Sequence, residues 1–372
     1  MTPIDPVELA ERIINLLDSA KYSTTYKWAT LDAIVQVVTE NVQPNGQVPP
    51  SIRGRAVGSK VLEIYWRQSV PFTATTGGQH VYLKQSANDL DIPGKIARFR
   101  QEHHLTNRND SISVAQAAFP REFAALEKYV QETVIRMPLP KLQKFGSGAN
   151  AIEERFIYDY GWRDEVPSGQ IQQADFNDEM ILKPGVALGL IKIQNLLRPY
   201  IENLWIQWVA DKNREITDAA ELHGLLFGVD RQSLIQIRPH LVSLQKGQCF
   251  YCDSNLHQNT EVDHFLPFSK HSDDTLDNLV AACRTCNGSK SDSYASLAHL
   301  GKWRQRFFED TSTYVELDRI SRKTSHIRKA RATESKAAAV FLNRPQGMQL
   351  WHSADLRIEL DHGAAMAIFS RT

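Results

Sequence analysis

Cys249-Phe250-Tyr251-Cys252 and Cys283-Arg284-Thr285-Cys286 stand thirty residues apart, and the chain between and beyond them decides the reading. It runs Glu261-Val262-Asp263-His264-Phe265-Leu266-Pro267, then Asp277-Asn278-Leu279-Val280, and after the second pair Asn287-Gly288-Ser289-Lys290. A CxxC knuckle aims two sulfurs at one cation, and two knuckles complete a tetrahedral four-thiolate site suited to Zn²⁺. The chain has 4 cysteines and this pattern uses all of them, so none is left for a disulfide elsewhere. Without an export signal, that pattern favours metal ligation over oxidation. Four protein ligands leave no open position for water, so the expected zinc is structural. It would fix the fold of a segment too short to bury its own core.

Inside this frame sits a second kind of chemistry. An imidazole, a carboxylate and two carboxamides (His264, Asp263, Asn278, Asn287) suit a hard cation and a phosphate. Hydrolysing a phosphodiester requires a base for water, a cation on the phosphate oxygens and donors for the developing charge. A histidine titrates near neutrality, so His264 is the candidate general base. Asp263 precedes it on the same expected strand and would face the opposite side unless the strand turns there.

The segment from Gly247 to Ser291 resembles an HNH (ββα-metal) endonuclease with a zinc-stabilised frame. Asp263-His264, Pro267, Asn278-Leu279, Cys283-x-x-Cys286-Asn287 and Lys290 carry the resemblance. It is the HNN variant, because Asn287 stands where a histidine closes the commoner motif. The resemblance implies that the chain turns into a loop by Asp263, so that Asp263 and Asn287 hold a catalytic Mg²⁺ or another divalent cation. It implies that Asn278, grouped with His264 as catalytic, orients the base by holding the intervening loop. Lys290 and Arg284 become candidate phosphate contacts, and the products would be a 5′-phosphate and a 3′-hydroxyl. The stretch Arg231…Leu234…Leu241…Gln245-Lys246-Gly247-Gln248-Cys249 is similar to the approach helix of bacterial restriction or defence HNH proteins. The expected activity is metal-dependent cleavage of DNA in bacterial defence, by nicking or double-strand cutting. The alternatives are a non-catalytic zinc-stabilised nucleic-acid-binding module, or an HNH nuclease acting on RNA.

The rest of the chain reads as mainly α. Asp5-Pro6-Val7-Glu8 has a cap, a proline at the first helical position and a reciprocal acid. Helices are expected at Leu9–Leu17, Trp28–Val38, Gly58–Gln68, Lys95–His103, Phe119–Ile135, Pro184–Asp211, Asp218–Phe227, Arg231–Gln245, Tyr294–Phe308 and Ala330–Asn343. Pro239 is a candidate kink. Val70–Gly94 is expected to be irregular and Arg155–Tyr158 a short strand. The expected division is a helical N-terminal region at 1–145, a helical connection at 146–246, the HNH module at 247–300 and a helical extension at 301–372.

The 372 residues carry 43 basic and 43 acidic groups, so any nucleic-acid contact must come from local patches rather than net charge. The candidates are Arg53, Arg55, Lys60 and Arg67; Lys95, Arg98 and Arg100; and Arg322, Lys323, Arg328, Lys329 and Arg331. His257, His271 and His299 read as surface bystanders, and Trp162, Trp205 and Trp208 as core or interface residues. No apolar run reaches the ~20 residues of a membrane span. The N-terminus lacks the regions of a signal peptide, so the expected compartment is the cytoplasm. The expected partner is DNA. One active site cuts one strand, so a duplex break calls for a homodimer, a defence-system partner or two visits.

Overall fold

Asp5 caps the first helix, Pro6–Asp18, by accepting a 2.8 Å hydrogen bond from the Val7 amide. The proline at the first helical position costs nothing there, because that amide has no partner within the helix. The computed structural model describes residues 2–19, 23–73, 80–86, 92–107, 110–146, 151–214, 219–228, 231–324 and 326–370. Parts of two expectations, the irregular Val70–Gly94 stretch and the boundary near Lys144–Asn150, lie outside the described residues, as does Asp218. The fold is mainly α, with a few small antiparallel sheets. No helix among the described residues is long and apolar enough to cross a membrane.

The chain divides into two compact units, one of Met1–Val38 with Pro49–Gly228 and one of Thr39–Val48 with Val229–Thr372. A division therefore falls at 228/229. In the first unit, helix Gly54–Gln68 packs on Pro120–Arg136. Gly58 permits the close approach, since a Cβ there would meet the Cα of Gln131 at 2.6 Å. The long helix Val186–Lys212 buries Trp205, whose indole donates to Gln85 at 2.8 Å and whose ring meets Tyr65 edge-on. Trp162 is buried too, and donates to the Ile135 carbonyl at 3.1 Å. The expected strand near Arg155 forms at Tyr158–Tyr160, in a three-stranded sheet with Glu179–Leu182 and Ser51–Arg53.

Parts of two basic patches are tied into this fold. Arg53 and Arg55 converge on Asp178, and Lys60 is buried against Glu63. Arg100 is buried and donates to the carbonyls of Trp66, Asn107 and Asp110. Burial commits Lys60 and Arg100 to internal acceptors, whereas Arg53 stays exposed beside Asp178.

The second unit begins its core with helix Arg231–Leu244, which stays helical through Pro239. Ile237 and Leu241 pack with Leu276, Leu279, Ala281, Leu317 and Ile320, so this helix backs the cysteine module. The region after the module holds helices Leu297–Arg304, Ser312–Thr324, Ala330–Asn343 and His362–Phe369. The helix expected to begin at Tyr294 starts three residues later, because Ala295 first bridges Trp351. A β-hairpin, Gln349–Ser353 with Leu356–Glu359, also lies in what read as a purely helical extension. Its first strand buries Leu350 and Trp351, but residues 356–359 are exposed throughout and leave no clear alternation to read.

Candidate active site and metal centre

Thr260–His264 and Leu279–Cys283 pair antiparallel, with Asp263 opposite Val280 and His264 opposite Leu279. Helix Arg284–Lys290 follows the second strand without a linker, and the Cys283 sulfur accepts from the Cys286 amide at its start. These are the two strands and the helix of a ββα unit. Helix residues 287 and 290, one turn apart, meet strand residues 261 and 263, two apart on one face. Asn287 Nδ2 donates to Glu261 Oε2 at 2.6 Å, and Lys290 Nζ lies 2.9 Å from Asp263 Oδ2. Asp263 and Asn287 therefore share one strand–helix seam.

The pairing runs through His264, so the strand does not turn at Asp263 as the resemblance implied. It turns just after, where Phe265 N donates to the Asn278 carbonyl and Leu266 N to the Asn278 side chain. The two neighbours accordingly take different partners. Asp263 goes to Tyr251 and Lys290, whereas the His264 ring lies beside Phe268 and its Nε2 is 2.8 Å from Asp274 Oδ1.

The four cysteines are unpaired, and their sulfurs all lie within 4.8 Å of one another, positioned to hold one metal ion. Burial pushes the Cys249 and Cys286 thiols up. For Cys252 burial acts the same way but is outweighed by hydrogen bonds led by Ser254, which bring it down to about 7. A cation among the sulfurs would draw all four toward the thiolate.

Residues 249–293 match the family model of the HNH endonuclease. This segment is an HNH endonuclease domain. The reaction of that family is the hydrolysis of phosphodiester bonds. No curated protein matches the chain. Among solved structures, the chain is similar to the Type II-C Cas9 enzyme from Actinomyces naeslundii, at 11% identity. The match has a TM-score of 0.18 and covers 87% of this chain and 43% of that one, too slight a likeness to carry an argument.

The four-cysteine cluster and Asp263 of the HNH domain are linked through Tyr251, which lies inside the first knuckle. Its hydroxyl donates to Asp263 Oδ2 at 2.5 Å. Burial first, and the Asp263 charge second, keep that phenol protonated well above its ordinary range. Folding the knuckle thus sets the carboxylate.

Several expectations need correction. Lys290 is fully buried, and its ammonium is spent on Asp263 and, at 2.8 Å, on the His264 carbonyl. So enclosed, its charge is paired within the strand–helix seam. Asn278, expected to hold the loop between the strands, is also fully buried. Its amide donates to the carbonyls of Leu266 and Asp273, closing the loop between the strands. Arg284, at the first position of the helix, is exposed. His271 is buried against the Tyr294 hydroxyl, and His299 is buried with burial lowering it to about 4. Arg328 is spent on Asp277 at 2.8 Å, which removes it from the third basic patch.

Sequence reasoning missed Tyr251, Glu261 and Asp274. Glu261 could have been found by strand alternation, as it shares a face with Asp263. Asp274 carried no local signal, because only the loop closure brings it to His264.

Proposed function

We propose that this chain is a divalent-cation-dependent DNA endonuclease. One observation carries the reading: the ββα unit puts Asp263 and Asn287 on one seam and His264 at the adjoining strand end. Asp263 offers an anionic oxygen and Asn287 a neutral one, a sparse set that suits Mg²⁺. The donation from Asn287 Nδ2 to Glu261 orients the amide and turns its oxygen away from that acid. When bound, the cation would stabilise charge on the phosphate oxygens. His264 would take the proton of the attacking water, and Arg284 would meet a phosphate.

The clamp fits Zn²⁺. A Zn–S bond of about 2.3 Å implies roughly 3.8 Å between sulfurs in a tetrahedron. Cys252 and Cys283 stand 3.9 Å apart, far beyond a disulfide. Thiols kept for a metal suit a reducing compartment such as the cytoplasm. The restriction-type resemblance of the approach helix supports a role in defence. A duplex break by this single site would enlist a second copy or a partner protein.

The test is nicking of a supercoiled plasmid beside a single-stranded RNA, each with Mg²⁺ and with EDTA. Mg²⁺-dependent conversion of the plasmid alone is expected. Cleavage of the RNA alone would replace the substrate. Binding without cleavage of either would leave a non-catalytic module.

A further inference from the structure

Resting on the assignment of His264 as base, we propose that Asp274 is a positioning residue that fixes which imidazole nitrogen is reactive. We further propose that helix Ala330–Asn343, outside the family match, holds Asp274 in place. The Asp274 carboxylate lies 2.8 Å from His264 Nε2. An ionised carboxylate only accepts hydrogen bonds, so Nε2 carries the hydrogen and Nδ1 the lone pair. Nδ1 is then the atom that takes the proton from water. Both side chains are largely buried, at 9% and 13% exposure, so the pair is shielded from competing solvent.

Asp274 is aimed by its neighbours. Asp273 is buried, and its Oδ2 accepts from Thr333 and Lys336, each at 3.0 Å. Its Oδ1 accepts from the Thr275 amide and hydroxyl, and its carbonyl from Asn278. The Thr275 and Thr333 hydroxyl oxygens lie 3.0 Å apart, both turned to Asp273. Thr333 and Lys336 share one face of the helix, one turn apart. Residues on both sides of the Asp274 backbone are thus tied to a helix that begins well after the matched domain ends.

Selectively ¹⁵N-histidine-labelled protein, with His264 assigned by its absence in His264→Ala, reads the tautomer directly. The wild type is expected to show His264 protonated at Nε2. A wild-type signal for the Nδ1–H form overturns the proposal, even if no nucleic acid is cut. In plasmid cleavage, Asp274→Ala should lower kcat about 10- to 100-fold with little change in KM. Asp274→Glu should recover part of the loss, which a merely structural role would not explain. Lys336→Met should lower kcat and broaden the tautomer signal while zinc content holds. Wild-type kcat in a folded Asp274→Ala variant refutes the positioning role. Wild-type kcat and tautomer in Lys336→Met refute the helix's part. Should wild type and His264→Ala cut equally, it is the base assignment that falls, and the tautomer measurement still decides the Asp274–His264 arrangement.

Discussion

The clamp and the cutting centre occupy the same short segment but are built on opposite plans. Each clamp ligand comes from one of two knuckles, three residues apart in sequence, and its sulfur is oriented by nearby groups such as the Cys286 amide and Ser254. The proposed cutting centre takes its residues from strand, loop and helix, and each is held by another side chain. Asp263 is held by Tyr251 and Lys290, Asn287 by Glu261, and His264 by Asp274. The difference teaches that a folding device is satisfied by local geometry alone. A site that must hold a water, a cation and a phosphate in register needs its side chains oriented by others.

The sharpest way to break the comparison is to remove a sulfur. Cys283→Ser should lose the ion and unfold the module, because four-ligand zinc sites contribute on the order of 10 kcal/mol to folding. Metal analysis and thermal melting check this; full occupancy and an unchanged Tm would refute the clamp. His264→Ala should act in the contrary way, cutting cleavage ~10²–10⁴-fold while metal content and melting stay put. Undiminished turnover by that variant removes the imidazole from the mechanism.

Lys290→Met tests whether the buried ammonium belongs to the fold or to the substrate. Without added divalent cation it leaves Asp263 buried beside no positive charge, which should cost about 3–5 kcal/mol in denaturant unfolding. A loss of DNA affinity with stability intact would instead return Lys290 to the phosphate.

The smallest effect is a pH dependence centred on Asp273. Burial alone would raise its carboxyl, but Lys336 and the Thr275 donors more than compensate and hold it well below the usual range. A carboxylate lowered in the folded state stabilises fully above its unfolded value, near pH 4, and loses that contribution as pH falls further. Melting between about pH 5 and 2 should therefore show a steeper acid loss in wild type than in Asp273→Asn. Parallel curves would detach this ion pair from stability.

Much of the molecule could be read without coordinates where the signal was local. The cap at Asp5, the long amphipathic helix and both knuckles each depend on residues a few positions apart, and they formed as expected. The hairpin at 349–359 was missed because one of its strands is wholly exposed and so shows no buried-and-exposed alternation. The basic patches were misread for another reason. Charge is visible in a sequence, but whether Arg100 or Arg328 faces water or an internal acceptor is set by packing across tens of residues.

The sequence by itself determined the chemistry available: four thiols spaced for one ion, and an imidazole, a carboxylate and an amide in HNN order. Only the tertiary structure decided how those groups are employed. It buried Lys290 and Asn278 as supports, tied Tyr251 of the clamp to Asp263, and brought Asp274 to His264 under a helix from beyond the domain. The physical reason is range. Ligand spacing is a short-range property of the backbone, whereas the orientation of a buried polar side chain is fixed by whichever distant groups can complete its hydrogen bonds.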